Sequence, residues 1–81
     1  MERPAGLTER EAEVLALLAR GLQTKQVARR LEISVKTADH HIQNAYAKIG
    51  VSTRAAAALF AMQHGLVAWG ELPIGRTPER S

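Results

Sequence analysis

The chain of 81 residues contains no cysteine, which excludes both a disulfide framework and a thiolate metal site. Aromatic residues make up only 4% of it, too few for an aromatic-rich β-sandwich, whereas apolar residues, many of them alanine, reach 46%. No apolar run approaches the roughly 18 to 20 residues that a membrane-spanning helix needs. The N-terminus also lacks the apolar segment of a signal peptide. We therefore expect one small cytoplasmic domain of closely packed helices, with no membrane partner.

The sequence also lacks the residue groups on which most active sites depend. It has no Gly-rich phosphate loop, no cysteine nucleophile and no carboxylate pair in a plausible cleft, and its length leaves little room for a pocket. His40 and His41 are adjacent, but neighbouring helical residues point about 100° apart. No third ligand lies at a suitable spacing. We therefore expect no enzymatic activity, no metal, no cofactor and no small-molecule ligand.

Capping residues and glycines divide the chain into four predicted helices. Thr8 and Glu11 have the spacing of a capping box, and Gly21 has the position of a helix stop. The N-caps predicted for the other three helices are Thr24, Ser34 and Ser52, and these helices run to about Arg30, Lys48 and His64. We thus predict an all-α, four-helix domain at 7–67, a linker or disordered N-terminus at 1–6, and a largely disordered tail at 68–81.

The third predicted helix has two faces of different character. Its apolar positions recur at steps of four, three and four, which place them on one side of a helix: Ala38, Ile42, Ala45 and Ile49. The other side carries short or medium side chains, most able to hydrogen-bond: Lys36, Asp39, His40, Gln43 and Ala47. A solvated face is usually richer in Glu and Lys, so this face suits entry into a DNA groove.

The charge distribution supports that interpretation. Residues 1–19 carry a net charge of −2, residues 20–54 a net charge of +5, and the remainder balances to zero. The positive charge therefore concentrates on the segment that contains the groove-suited helix, as is typical of nucleic-acid-binding domains. A surface helix pair that happens to be basic is the alternative.

Three runs of sequence occur in order: LTEREAEVLALLARGL, KQVARRLEIS and KTADHHIQNAYAKIGVSTRAAAA. Together they resemble the LuxR/FixJ-type (GerE-like) helix-turn-helix domain of bacterial transcription regulators, over about residues 7–66. The resemblance implies a four-helix DNA-binding module whose third helix enters the major groove. The later part is also similar to the tail of larger bacterial proteins in which an HD-type phosphohydrolase domain comes first. We expect the chain to be either an excised C-terminal domain or a stand-alone small regulator.

The resemblance assigns base reading to Asp39, His40 and Gln43. Family members usually carry a basic residue at the position of Asp39, although a carboxylate can accept a hydrogen bond from cytosine N4. Candidate phosphate ligands are Lys25, Lys36, Thr37, Lys48, Thr53 and Arg54. The family pattern also implies that His41 packs and hydrogen-bonds against the second helix. The alternative to DNA contact is that these polar residues are simply exposed to solvent.

The fourth predicted helix is rich in alanine, and in this family the fourth helix often forms a symmetric dimer. The expected interface of a weak homodimer consists of Ala55, Ala58, Leu59 and Met62. The alternative is that the alanines are internal core or simply strong helix formers. The leading function is sequence-specific binding of double-stranded DNA in transcription regulation, and the alternative is a helical protein-interaction module that docks on another domain or on RNA polymerase.

Overall fold

The computed structural model describes residues 4–67, and within this range it contains four α-helices and no strand. They are α1 (Glu9–Ala19), α2 (Thr24–Leu31), α3 (Val35–Ile49) and α4 (Arg54–Gln63), preceded by a short 3-10 turn at Pro4–Gly6. The predicted all-α, four-helix architecture is confirmed. Residues 1–3 and 68–81, which hold half of the predicted linker and the whole predicted tail, lie outside the described range.

Two of the predicted helix starts are where the sequence placed them. The Glu11 N–H donates to Thr8 Oγ1 at 3.1 Å, and the Thr8 N–H donates to Glu11 Oε1 at 3.0 Å, which completes the capping box of α1. Ser34 is the N-cap of α3, because its hydroxyl accepts a hydrogen bond from the Thr37 N–H at 3.0 Å. These caps satisfy N–H groups that the first helical turn leaves without partners.

The predicted starts of the other two helices are wrong by one residue. The N-cap of α2 is Gln23 rather than Thr24, because the Gln26 side chain accepts from the Gln23 N–H at 2.8 Å. The N-cap of α4 is Thr53 rather than Ser52, because Thr53 Oγ1 accepts from the Ala56 N–H at 3.1 Å. Ser52 and Thr53 are both hydroxyl residues suited to capping, so the backbone geometry decides between them at α4.

The core consists of three adjoining clusters. The first joins α1, α2 and α3 through Val14, Leu17, Leu18, Val27, Ala28, Ala38 and Ile42. The second joins the entry to α1 with α1, α3 and α4 through Leu7, Leu15, Ala45 and Ala57. The third closes α1 against α4 and the segment after it through Ala19, Ala61 and Val67. Because α1 contributes to all three clusters, it is the scaffold against which the other helices are placed.

Candidate nucleic-acid interface

A three-residue turn, 32–34, joins α2 to α3. Glu32 adopts the left-handed conformation, with φ 60° and ψ 44°, and the Ile33 N–H donates to the Ala28 carbonyl at 3.0 Å. This six-to-one hydrogen bond is typical of a helix stop of the Schellman type. The Ile33 side chain packs on the first core cluster. The turn is therefore fixed from both its backbone and its apolar side, which sets the direction in which α3 leaves α2.

The inner face of α3 is buried in the core, and its outer face is exposed to solvent. Ala38 and Ala45 are 0% exposed and Ile42 is 5% exposed, because they pack on α1, α2 and α4. Every outer-face residue identified in the sequence is exposed: Lys36, Asp39, His40, Gln43 and Ala47. The three candidate base-reading side chains thus stand on one accessible surface of a helix whose other side is anchored.

The N-terminal turn of α3 holds Thr37 in a defined orientation. The Ser34 hydroxyl donates to Thr37 Oγ1 at 2.8 Å while it accepts from the Thr37 N–H. Thr37 is exposed, and its own hydroxyl proton is left to donate elsewhere. A phosphate oxygen near this helix end would also be favoured by the positive end of the helix dipole.

A polar contact on the same surface was not foreseen from the sequence. Asn44 Nδ2 lies 3.2 Å from His40 Nε2, and both residues are exposed. The two residues are four apart, so the signal that could have revealed the contact was the i,i+4 spacing on α3. Asn44 therefore belongs to the outer face of α3 together with the candidate base readers.

The candidate phosphate ligands divide according to their intramolecular partners. Lys25 and Lys36 are exposed and form no ion pair within the described residues. Arg54 donates from Nε to the Leu18 carbonyl at 3.4 Å, which spans the end of α1 and the start of α4. Its remaining guanidinium N–H groups are still available as donors. These cations can therefore meet an anion without first losing an ion-pair partner.

Lys48 is different, because its ammonium group is already engaged. Its Nζ donates to Glu11 Oε1 at 2.7 Å and to the Gly6 carbonyl at 3.3 Å. The Glu11 side chain is only 6% exposed whereas that of Lys48 is 36% exposed, so this pair joins the end of α3 to the start of α1 in a partly buried position. We expected Lys48 to bind phosphate, and the structure instead places it in a contact that holds α3 on the scaffold.

The charge of Glu11 is maintained by its partners. Burial alone would raise the pKa of the Glu11 carboxyl above its usual 4.5, but hydrogen bonds from Lys48 and Thr8 outweigh burial and lower the pKa. A carboxyl group whose pKa is lower in the folded chain than in the unfolded chain stabilises the fold at pH values above its unfolded-state pKa. That stability is lost as the pH falls through the lower, folded-state value.

Glu11→Gln should therefore destabilise the domain at neutral pH and much less in acid. We expect the free energy of unfolding at pH 7 to fall by roughly 1 to 3 kcal/mol, because a hydrogen bond between charged groups is lost. Urea titrations at pH 7, 5 and 3 would measure it, and the difference in the free energy of unfolding between wild type and variant should narrow as the pH falls below 4.5. The matched control is Glu13→Gln, whose exposed pair with Arg10 at 3.2 Å should matter little. Equal effects of the two variants, or a difference that does not narrow between pH 7 and pH 3, would contradict the assignment.

Comparison with known proteins identifies the family of this chain. The model of the luxR family of bacterial regulatory proteins matches residues 5–61. The chain belongs to the LuxR family of bacterial regulatory proteins. It is therefore a helix-turn-helix domain of the DNA-binding, transcription-regulating kind, in which α2, the 32–34 turn and α3 form the helix-turn-helix.

The similar curated proteins include the response regulator protein VraR of Staphylococcus aureus, of Staphylococcus saprophyticus and of Staphylococcus epidermidis. Each is 39% identical to this LuxR-family chain over 61 residues, which is 75% of the chain and 29% of the relative. The chain thus spans less than a third of the length of these relatives.

The fourth helix of this LuxR-family domain divides its alanines between core and surface. Ala57 and Ala61 are 0% exposed and belong to the core, as the alternative interpretation of the alanine-rich helix required. Ala55 and Leu59 are exposed, and Leu59 keeps 51% of its surface accessible. Of the other residues expected at a dimer interface, Ala58 and Met62 are half-buried against the third core cluster.

His41 and His64 each lie beside another aromatic ring. His41 is half-buried, and its ring centroid lies 6.3 Å from that of His40. The His41 side chain makes no hydrogen bond within 4–67, so the expected hydrogen bond to α2 is absent. His64, at the end of α4, stacks on Phe60 with ring centroids 4.2 Å apart. No group of three or more His, Asp or Glu residues suited to a metal ion occurs in the described range. No helix within that range is long and apolar enough to cross a membrane.

Proposed function

We propose that this domain binds double-stranded DNA in a sequence-specific manner, as the effector domain of a bacterial transcription regulator acting in the cytoplasm. In this proposal α3 lies in the major groove. The observation that carries it is the contrast between the two faces of α3. A dry inner face anchors the helix, and the exposed outer face presents polar side chains with little bulk. A major groove about 12 Å wide admits such a helix.

The outer face of α3 supplies the groups that would read bases. Gln43 can pair with adenine through its amide, and His40 can donate to or accept from several base edges. Asp39 can only accept when ionised, which suits the amino group of cytosine. Asp39 forms no ion pair within 4–67, so its carboxylate is not neutralised by the protein itself.

Phosphate contacts would supply affinity and position α3 in the groove. We assign them to side chains around the helix-turn-helix that are free to donate: Lys25, Lys36, Thr37, Thr53 and Arg54. Lys48 is left out of this set because Glu11 already holds its ammonium group at 2.7 Å. The net charge of +5 on residues 20–54 supports this electrostatic contribution. The proposal requires no catalytic step, metal or cofactor.

We further propose that the domain pairs weakly with a second copy through α4. The exposed part of that helix carries Ala55 and Leu59, with Ala58 and Met62 partly accessible beside them. The small area of this surface keeps the expected affinity low, so pairing would be detectable mainly when both copies sit on adjacent DNA half-sites. A contact with RNA polymerase would be a further partner interaction of the same domain.

Salt dependence of duplex binding tests the proposal. Fluorescence anisotropy with a short labelled duplex should show affinity falling steeply with salt, with a log–log slope of about −0.9 for each phosphate neutralised. Lys36→Ala should reduce the magnitude of that slope by about one unit and weaken all sequences alike. Arg10→Ala is the control, because Arg10 lies on α1 and pairs with Glu13 at 3.2 Å. Its slope should match that of the wild type.

Two results would contradict the proposal. One is an absence of duplex binding at low salt, and the other is binding that does not respond to salt. Either would favour the alternative function, a protein-interaction module that docks on another domain or on RNA polymerase. Equal slopes for Lys36→Ala and the wild type would remove Lys36 from the phosphate set while leaving DNA binding in place.

A further inference from the structure

The contact between Asn44 and His40 bears on which ring nitrogen of His40 carries the proton. Asn44 Nδ2 lies 3.2 Å from His40 Nε2. An amide nitrogen carries two protons and no lone pair that can accept, so it acts only as a donor. With the Asn44 amide oriented in this way, His40 Nε2 is the acceptor. In a neutral imidazole one ring nitrogen accepts and the other carries the proton, so the proton of His40 resides on Nδ1.

The Nδ1–H group of His40 is left free for an outside partner. Within the described residues the His40 side chain makes no hydrogen bond other than the one with Asn44. Its nearest aromatic neighbour, His41, is tilted by 58° with the ring centroids 6.3 Å apart, too far for a hydrogen bond between the rings. The ring thus presents one oriented donor from an exposed position on α3.

Helix geometry places His40 between Asn44 and Gln43 on the outer face of α3. At about 100° per residue, Asn44 lies about 40° around the helix from His40, and Gln43 lies about 60° away on the other side. An asparagine here can support His40 and remain at the surface that would face DNA.

We propose that Asn44 is a specificity-determining positioning residue, which holds His40 in the tautomer that donates from Nδ1 to a base. This inference rests on the proposed binding of DNA by α3. A donor at this point favours base edges that accept in the major groove, namely guanine N7 and O6, adenine N7 and thymine O4. It disfavours cytosine, which offers only its N4 amino donor there.

The tautomer can be measured without DNA. Long-range ¹H–¹⁵N correlation spectra of the domain, at a pH where the ring is neutral, should show His40 protonated on Nδ1. Asn44→Asp should move the proton to Nε2, because a carboxylate only accepts and the ring must then donate to it. Asn44→Leu, which is similar in size but cannot donate, should give a mixture of both forms. Gln43→Leu, one residue away, is the control and should leave the spectrum unchanged.

Base preference is the second readout. His40→Ala in a selection of bound duplexes identifies the base pair that His40 reads. At that pair, Asn44→Leu should reduce the wild-type preference roughly two- to tenfold, the value of one hydrogen bond. Asn44→Asp should shift the preference toward bases that donate, cytosine N4 or adenine N6. Gln43→Leu should change the preference at a different base pair only.

The two readouts separate this inference from the function on which it rests. A wild-type ring protonated on Nε2 would overturn the inference whatever the domain does with DNA. A ring protonated on Nδ1 in a domain that binds no duplex would overturn the proposed function, and the specificity role with it. Duplex binding with an unchanged preference in both Asn44 variants would overturn the inference and leave the function standing.

Discussion

Replacing Leu15 with Ala should lower the free energy of unfolding by about 2 to 5 kcal/mol. Leu15 is 0% exposed and packs with Leu7, Ala45 and Ala57, so one side chain joins the entry to α1 with α3 and α4. Domains are stable by only about 0.05 to 0.15 kcal/mol per residue. The loss is therefore a large share of the total. Urea titration followed by circular dichroism would measure it, and DNA binding should fall with the folded fraction.

Leu59→Ala is the matched control for this prediction. It removes the same atoms from a leucine that keeps 51% of its surface exposed, so the free energy of unfolding should change by no more than about 0.5 kcal/mol. The same variant tests the proposed α4 interface, because it should abolish cooperative occupation of paired half-sites while leaving single half-site binding intact. Equal destabilisation by the two variants would show that Leu15 has no special place in the core. Unchanged cooperativity would count against the α4 interface.

The fold could be predicted because its signals are local. The capping box of Thr8 and Glu11 and the four, three, four spacing of the apolar residues in α3 each depend on residues within one or two turns. The errors have the same origin. Ser52 and Thr53 are equivalent caps by residue type, and only the backbone conformation decides that Thr53 caps α4.

The candidate site was predicted less completely, because part of it depends on contacts between distant residues. Lys48 resembles a free cation in the sequence, and its partner Glu11 lies 37 residues away. No periodicity or charge count could have joined them. The alanines of α4 are a second example, because identical residues at 55 and 57 are exposed and buried respectively according to the rotation of the helix against α1. The contact of Asn44 was easier to predict than these two, because its partner His40 lies only one helical turn away.

Asp39→Lys should tighten binding to arbitrary duplexes and reduce discrimination between sequences. The wild-type carboxylate is exposed on the face of α3 proposed to meet DNA, and no cation of the described chain pairs with it. The substitution changes the local charge by two units, which should steepen the log–log salt slope by about one to two. At low salt this corresponds to a gain in non-specific affinity of roughly tenfold or more. Asp39→Ala, without the added cation, should cost roughly 1 to 3 kcal/mol of discrimination at one base pair if the carboxylate accepts directly from cytosine.

An added positive charge anywhere on the domain can raise its affinity for DNA. A control is therefore needed to show that the effect depends on the position of residue 39. Glu13→Lys makes the same change of charge on α1, where Glu13 is exposed and pairs, among residues 4–67, only with Arg10. Titrations of wild type, Asp39→Lys, Asp39→Ala and Glu13→Lys against a preferred and a scrambled duplex at two salt concentrations separate local from general electrostatics. We expect Glu13→Lys to produce a small, sequence-independent gain, because exposed charges more than about 10 Å apart are largely screened at 0.1 M salt. If both lysine variants behave alike and Asp39→Ala changes no preference, Asp39 does not face DNA. The groove-binding surface would then have to lie elsewhere than on the outer face of α3.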